Sequence, residues 1–585
     1  MFSVLVKLRW FFKQYWKRYS IAIVTLSLCN FFEVIPPMMI GNTIDKLYLG
    51  ELSAKLFSLY IAIFLTGSIL NYLITYIWQY ALFGGAFIVE KTLRSRLMNH
   101  LLKMGPTFFE KNRTGNLMAR GTNDLKAVSM TAGFGILTLV DSTMYMLTII
   151  MTMGVFVSWK LTFASILPLP ILAIGIKYLG GKIHERYTVA QDAFGQLNDR
   201  VLESVEGVRV IRAYNQELKE ESVFKAMTDD VYHKNVTVAK IDALFNPLTK
   251  IVAGLSYTIG LSYGAYLVFH QKITLGNLVS FNVFLGMLTW PMFAIGELIN
   301  VMQRGNASLD RVQETLNECE DVEDPEKPKE LKKLGDITFE NSSFQYPRSK
   351  TMNLKHIHLH IHRGDTIGVV GKTGSGKTTF IKQLLREYPL GEGTVMVANT
   401  RIDELSKEQI RSWIGYVPQS HFLFSRTVKE NILFGVDDAA EEEVQKVIKL
   451  TALDKDIRMF PNGLDTLVGE KGVSLSGGQK QRISIARALM VDPELLILDD
   501  ALSAVDAKTE ARIICNIRKE RADKTTIIVT HRLSAIEHAQ WIVVLDDGNI
   551  IEEGTHEQLL ALNGWYRQQF DRQQVHLPGQ MEVQA

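Results

Sequence analysis

The chain has 585 residues, too many for one hydrophobic core, so it divides into several domains. Its formal net charge of +2 excludes a dedicated nucleic-acid binder, which needs a basic excess to neutralise phosphates. The 47% hydrophobic content and a mean hydropathy just above zero average two unlike halves: long uncharged runs up to about Arg304, then charges every few residues.

The opening KLRWFFKQYWKR (7–18) mixes aromatics with five cations. It reads as an interfacial amphipathic helix and not as a signal peptide, because its apolar stretch is short and no small-residue cleavage site follows. Residues 56–89 contain no Asp, Glu, Lys or Arg, a run longer than the roughly 20 residues a helix needs to cross a bilayer. Comparable runs at 19–47, 127–159, 161–176, 251–271 and 274–296 make six expected spans. Loops two and four, roughly 40 to 70 residues long, hold Lys91, Arg94, Arg96, Lys103, Arg209 and Arg212, so the positive-inside tendency puts them and both termini in the cytoplasm. GPTFFEKNRTGNLMAR (105–120) and EGVRVIRAYNQE (206–217) place aromatic and basic residues at the far ends of those loops, suited to docking on another domain. The Met- and aromatic-rich stretches 145–159 and 284–293 suit an adaptable apolar pocket, although packing against lipid and neighbouring helices accounts for most such residues. Glu33, Asp141 and Glu297 interrupt apolar segments and are candidates for binding cationic substrates. Cys29, Cys319 and Cys515 match no metal or disulfide spacing.

An acidic, proline-bearing linker (318–333) precedes a charged, soluble domain. In HIHLHIH (356–362) four histidines alternate with Ile357, Leu359 and Ile361, the pattern of a half-buried antiparallel strand. No Cys or acidic residue joins them within the run, so a metal site is not expected there. Residues 367–370 form a buried strand that runs into GKTGSGKT (371–378), a complete G-x-x-x-x-G-K-[ST] loop. Gly371, Thr373, Gly374, Ser375, Gly376 and Thr379 belong to a backbone that cradles phosphates. Lys377 reaches the β/γ-phosphates, and the Thr378 hydroxyl ligates Mg2+. The apolar strand 495–498 then delivers Asp499 as the Mg2+ carboxylate at its C-terminal edge.

Between these two elements lies LSGGQ (475–479) within VSLSGGQKQRISIARAL. With that combination the chain resembles an ATP-binding-cassette (ABC) half-transporter of the exporter type over nearly its whole length. The resemblance implies an α-helical six-span transmembrane domain followed by an α/β phosphate-loop nucleotide-binding domain with antiparallel-β and helical subdomains. Its expected boundaries are an elbow helix at 1–18, the membrane domain at 19–315, a linker at 316–335, the cassette at 336–572 and a tail at 573–585. It also implies that Tyr346 in FQYP stacks on adenine, that Gln419 in YVPQ is the glutamine of the loop joining the site to the membrane domain, with a catalytic role and as a Mg2+ ligand, and that His531 in VTHR senses the γ-phosphate as a catalytic residue beside Asp500. TLVGEKG (466–472) looks like the segment before the signature, and SAVD (503–506) like the loop that crosses between cassettes. In the family two cassettes pair head to tail, so Ser476, Gly477, Gly478 and Gln479 complete the ATP site of a partner. ATP and Mg2+ are the implied cofactors, in a multi-pass cell-membrane protein with its cassette in the cytoplasm and no nucleic-acid partner.

The position after the Mg2+ carboxylate is usually Glu in this family, the general base for water, and here it is Asp500. Asp is one methylene shorter and withdraws its carboxylate by roughly an ångström, enough to cost on the order of a hundredfold in rate. The chain therefore resembles the degenerate-site, BmrC-type subunit of the heterodimeric multidrug exporters of Gram-positive bacteria. That resemblance implies a different partner chain bearing the Glu, contact with membrane lipid, and hydrophobic or cationic drug-like substrates. A homodimeric lipid or peptide exporter, or a regulatory membrane subunit that binds ATP without net transport, are the competing expectations.

Overall fold

A computed structural model describes residues 2–469 and 475–575. Residues 470–472 of the segment before the signature, and most of the expected tail, lie outside that range. The chain divides into two compact units, Met1–Leu102 with Thr114–Glu318, and Lys103–Arg113 with Cys319–Ala585.

The first unit is helical because its long apolar runs leave no other way to satisfy backbone N–H and C=O groups within a bilayer. Among the described residues, five stretches are long and apolar enough to span one: Trp16–Tyr48, Ala54–Leu101, Thr114–Ile166, Glu217–Phe269 and Leu275–Asn317. The remaining expected span, 161–176, is divided by a turn between Trp159–Ile166 and Leu169–Glu206. Pro168 stands at that turn, where its ring removes a helical N–H and restricts the residue before it. The first span bends before Ile35–Tyr48, where Pro36 and Pro37 occupy the opening turn, a place that needs no intrahelical donor. Phe57, Leu59, Leu65 and Ile69 of the second span are exposed, as a lipid-facing surface requires.

Helices meet in this unit through small residues. A Cβ on Gly276 would lie 1.9 Å from the Gly41 carbonyl oxygen, so the helices Ile35–Tyr48 and Leu275–Met287 cross backbone to backbone. Asp124 ties Thr114–Ile166 to Thr289–Asn317, accepting hydrogen bonds from Ser308 Oγ at 2.9 Å and Arg311 Nε at 2.9 Å. The N-terminal segment is anchored on protein, which an interfacial helix need not be. Val4, Leu8 and Phe11, spaced i, i+4, i+7, are fully buried against Tyr19, Leu82 and Leu309, and Lys7 pairs with Asp310. Of the Met- and aromatic-rich stretches, Tyr145, Ile149, Met153 and Phe284 pack into a buried cluster, while Met151, Phe156, Trp290 and Phe293 stay exposed.

The second unit holds two sheets. One is antiparallel, in the order β2-β1-β4-β5, from β1 (Ile337–Phe344), β2 (Leu354–Ile361), β4 (Glu392–Val397) and β5 (Thr400–Arg401). The other has the order β10-β9-β3-β8-β7-β6, from β3 (Thr366–Gly371), β6 (Ile414–Val417), β7 (Leu495–Asp499), β8 (Thr525–Val529), β9 (Trp541–Asp546) and β10 (Asn549–Gly554). All its pairings are parallel except β9 with β10. Every residue of β7 and β8 is buried, the mark of central parallel strands covered on both faces. The linker is not a free tether. Lys407 bonds to Glu320 and to the Val322 carbonyl, both at 2.7 Å, and Arg386 bonds to the Glu323 carbonyl at 2.9 Å.

The tip of the first long loop folds as part of this second unit. Phe108 is 5% exposed, Tyr388 Oη donates to Glu110 at 2.7 Å, and Arg348 donates to the Glu110 carbonyl at 3.0 Å. The tip of the second loop, Val208–Ala213, buries none of its residues.

The helix crossing at Gly276 yields a direct test. Gly276→Val is expected to lower the stability of the purified protein by about 1–3 kcal/mol through overpacking, read as a fall in Tm. Gly67→Ala, where an added Cβ meets nothing within 4 Å, is expected to leave Tm unchanged.

Candidate active site

β3 is buried and apolar to its end, and from Gly371 the chain turns into the helix Lys377–Leu384. The turn uses conformations that side chains resist. Gly374 has φ +82° and Gly376 φ +103°, and a Cβ at Gly376 would also stand 2.8 Å from the Asn353 carbonyl oxygen. Within this loop Ser375 Oγ is buried without a hydrogen-bond partner among the described residues. An orphan hydroxyl beside a helix N-terminus is what a phosphate-binding loop offers its ligand.

Lys377 is 8% exposed, and its ammonium donates to the carbonyls of Gly371 at 3.0 Å and Lys372 at 2.7 Å. Burial draws its pKa down, against the charges of Asp499 and Asp500. Thr378 Oγ1 donates to Asp499 Oδ2 at 3.0 Å, so the two expected Mg2+ ligands are already neighbours. Asp499 is 2% exposed, and burial pushes its carboxyl above the usual carboxylate range. The Thr378 hydrogen bond opposes that rise and the Asp500 charge adds to it. A buried carboxylate with one hydroxyl partner fits a hard divalent cation that accepts oxygen ligands.

One cavity collects Thr373, Gly374, Ser375, Gly376, Lys377, Thr378 and Thr379 with Gln419, Asp499, Asp500 and His531. They come from separate elements: the loop after β3, the segment after β6, the end of β7 and the end of β8. Asp500 takes a left-handed conformation, φ +49°, which Asp tolerates better than most residues. Its N–H donates to the Val529 carbonyl at 2.8 Å, and Ser503 Oγ donates to its carbonyl at 3.0 Å.

Other expected residues do not line this cavity. The Tyr346 ring packs edge-on against Phe344 and Tyr388, with its hydroxyl donating to Thr379 at 3.0 Å. Ser476 caps the helix Gly477–Met490 in a reciprocal pair with Gln479. Gly477 and Gly478 lie close against Ala504 of the SAVD loop, where a Cβ on Gly478 would stand 3.0 Å from the Ala504 carbonyl oxygen.

Two residues that motif reading passes over connect these parts. Gln481 Nε2 lies 3.0 Å from His421 Nε2 and 3.0 Å from Ser503 Oγ, and its Oε1 accepts the Ala504 N–H at 2.9 Å. Burial draws the His421 pKa down, against the Asp500 charge, which favours the neutral ring that accepts from an amide. The amide thus fastens the segment after Gln419 to the loop after Asp500. Gln481 belongs to the helix that follows LSGGQ, and no spacing rule links it to position 421.

Residues 19–292 match the family described as the ABC transporter transmembrane region, and residues 354–503 match the family described as ABC transporter. The probable multidrug resistance ABC transporter ATP-binding/permease protein YheI of Bacillus subtilis is 62% identical over 575 residues, 98% of each chain. The multidrug resistance-like ATP-binding protein MdlA of Escherichia coli is 38% identical, over 97% of this chain and 96% of its own. Among solved structures, a bacterial Atm1-family ABC exporter with ATP bound has a TM-score of 0.80 at 25% identity, covering 95% of this chain and 99% of the other. Tandem family matches, relatives aligned end to end and the phosphate-loop cavity show that the chain belongs to the ABC transporters. It is an exporter-type half-transporter, a multi-pass membrane protein whose ATPase cassette drives transport in company with a second half.

Proposed function

We propose that this chain is the slow-site subunit of a heterodimeric multidrug exporter, with its cassette and both termini in the cytoplasm. The observation that carries this reading is Asp500, the carboxylate beside Asp499 in the cavity. Thr378 and Asp499 would hold Mg2+, which when bound would supply positive charge against the phosphates. The loop 371–379 would orient the triphosphate, Lys377 would hold the terminal phosphates, and Gln419 would position water. Asp500 is the group left to take the proton, and its shorter side chain places the oxygen roughly an ångström from where a Glu would hold it. Ser476, Gly477, Gly478 and Gln479, outside the chain's own cavity, are then free to complete a competent site on a partner that carries the Glu. The description of YheI and MdlA as multidrug resistance and multidrug resistance-like proteins supports drugs over lipids or peptides as the cargo. His531 in the same cavity favours a second reading, a homodimer in which Asp500 serves as base.

Asp141 is the proposed countercharge for cationic substrates. It is 6% exposed within an apolar helix and accepts hydrogen bonds from Trp290 Nε1 at 2.9 Å and Asn30 Nδ2 at 3.4 Å. No cation is among those partners, which leaves its charge available to a ligand. Glu297, by contrast, is exposed.

Purified alone in lipid nanodiscs, the chain is expected to turn over ATP no faster than its Lys377→Ala variant, and to gain turnover when the Glu-bearing partner is added. Asp500→Glu is expected to raise the turnover of the chain alone by up to about a hundredfold. Vigorous turnover by the unaltered homodimer would establish the second reading instead. In vesicle transport assays of the heterodimer, Asp141→Asn is expected to raise the KM for a monocationic dye about tenfold, near 1.4 kcal/mol, with little change for a neutral substrate. Equal effects on both dyes would remove the countercharge role.

A further inference from the structure

The histidine-rich strand carries a feature that ATP hydrolysis does not use. All four of its histidines are exposed, as alternation with Ile357, Leu359 and Ile361 requires, yet they are not equivalent. His356 has φ +48°, at an irregularity in the pairing of β1 with β2, and its Nδ1 is held by Asn341 at 2.8 Å. His360 and His362 instead turn toward each other, with ring centroids 4.4 Å apart, and both face Asp336, which the chain supplies from just before β1. Asp336 Oδ2 lies 3.5 Å from His360 Nε2 and 3.4 Å from His362 Nδ1, and the three ligand atoms fall within 4.8 Å of one another.

We propose that Asp336, His360 and His362 form a surface site for a first-row divalent transition-metal ion such as Zn2+, separate from the nucleotide site. Metal–ligand bonds of about 2.0–2.1 Å at tetrahedral angles set neighbouring ligand atoms roughly 3.3–3.4 Å apart, close to the 3.5 and 3.4 Å from Asp336 to His360 and His362. Charge-assisted hydrogen bonds are usually shorter, about 2.7–2.9 Å, so the 3.4 Å hydrogen bond between His362 and Asp336 is a long one that leaves room for an ion. The supporting groups also fit. Thr338 Oγ1 holds His360 Nδ1 at 2.9 Å and leaves Nε2 for the ion, while the Arg363 N–H holds Asp336 Oδ1 at 2.9 Å and leaves Oδ2. Two imidazoles and one carboxylate select borderline metals over Mg2+ and Ca2+, and the exposed position leaves solvent as the fourth ligand. Occupancy would clamp the turn between β2 and β3, and β3 is the strand that carries the phosphate loop.

The test is a titration of the full-length transporter, with any affinity tag removed and no nucleotide present, using Co2+ followed by its visible absorption and Zn2+ followed by calorimetry. One saturable equivalent per chain with a tetrahedral Co2+ spectrum is expected. His360→Gln, His362→Gln and Asp336→Asn should each lower the affinity at least tenfold, whereas His356→Gln and Lys377→Ala should not change it. Zn2+ should also raise the Tm of the Lys377→Ala protein as much as that of the parent. Binding that survives the double variant His360→Gln/His362→Gln, or no saturable binding at millimolar metal, would overturn the proposal. Because these side chains are exposed, the substitutions leave the folded cassette in place.

Discussion

The Asp499 carboxylate stands 2% exposed at the end of a strand that is buried throughout, and the cassette is arranged around the cost of holding it there. Removing a charge from water costs several kcal/mol unless other groups compensate. The Thr378 hydroxyl at 3.0 Å supplies one hydrogen bond and Lys377 an opposing charge. Strand order makes this possible. β3 and β7 both flank β8, so the loop that follows β3 and the acid that ends β7 open at the same edge of the sheet. Gln419 and His531 reach that edge from β6 and β8, and Gln481 fastens the segment after Gln419 to the loop after Asp500.

In the helical unit a different constraint governs. Lipid competes with neighbouring helices for apolar side chains, so contact depends on shape and on a few polar ties. Gly276 against Gly41, and Asp124 against Ser308 and Arg311, are such contacts, and each joins segments more than 180 residues apart. The tip carrying Phe108 and Glu110 folds with the cassette, although the chain on either side of it belongs to the helical unit. A rearrangement around the ATP cavity therefore has a covalent route into the helices.

Local patterns carried most of the architecture. Uncharged runs marked the helices, glycine spacing marked the phosphate loop, and apolar run-ins marked β3 and β7, because each depends on residues adjacent in the chain. Long-range choices were not legible there. Val4, Leu8 and Phe11 read equally well as a lipid-facing stripe, and only the packed helices show them buried on protein. The composition of the linker does not show that Arg386 and Lys407, both distant in sequence, hold it. His421 and Gln481 carry no motif, since an amide bridging two loops imposes no spacing on either.

The sequence alone determined the chemistry available: a Walker-type loop, two adjacent carboxylates, a signature segment and apolar spans, since side-chain identity and short-range periodicity are properties of the chain itself. Tertiary structure decided which of these groups meet. It brought Asp500 and His531 into one cavity with the phosphate loop and left Ser476 to Gln479 outside it. It also set Asp336 against His360 and His362, although nothing in the histidine run signals an acid. Antiparallel pairing is what joins them: β1 lies beside β2 with Ile337 opposite Ile361, so the residue just before one strand meets the end of the other.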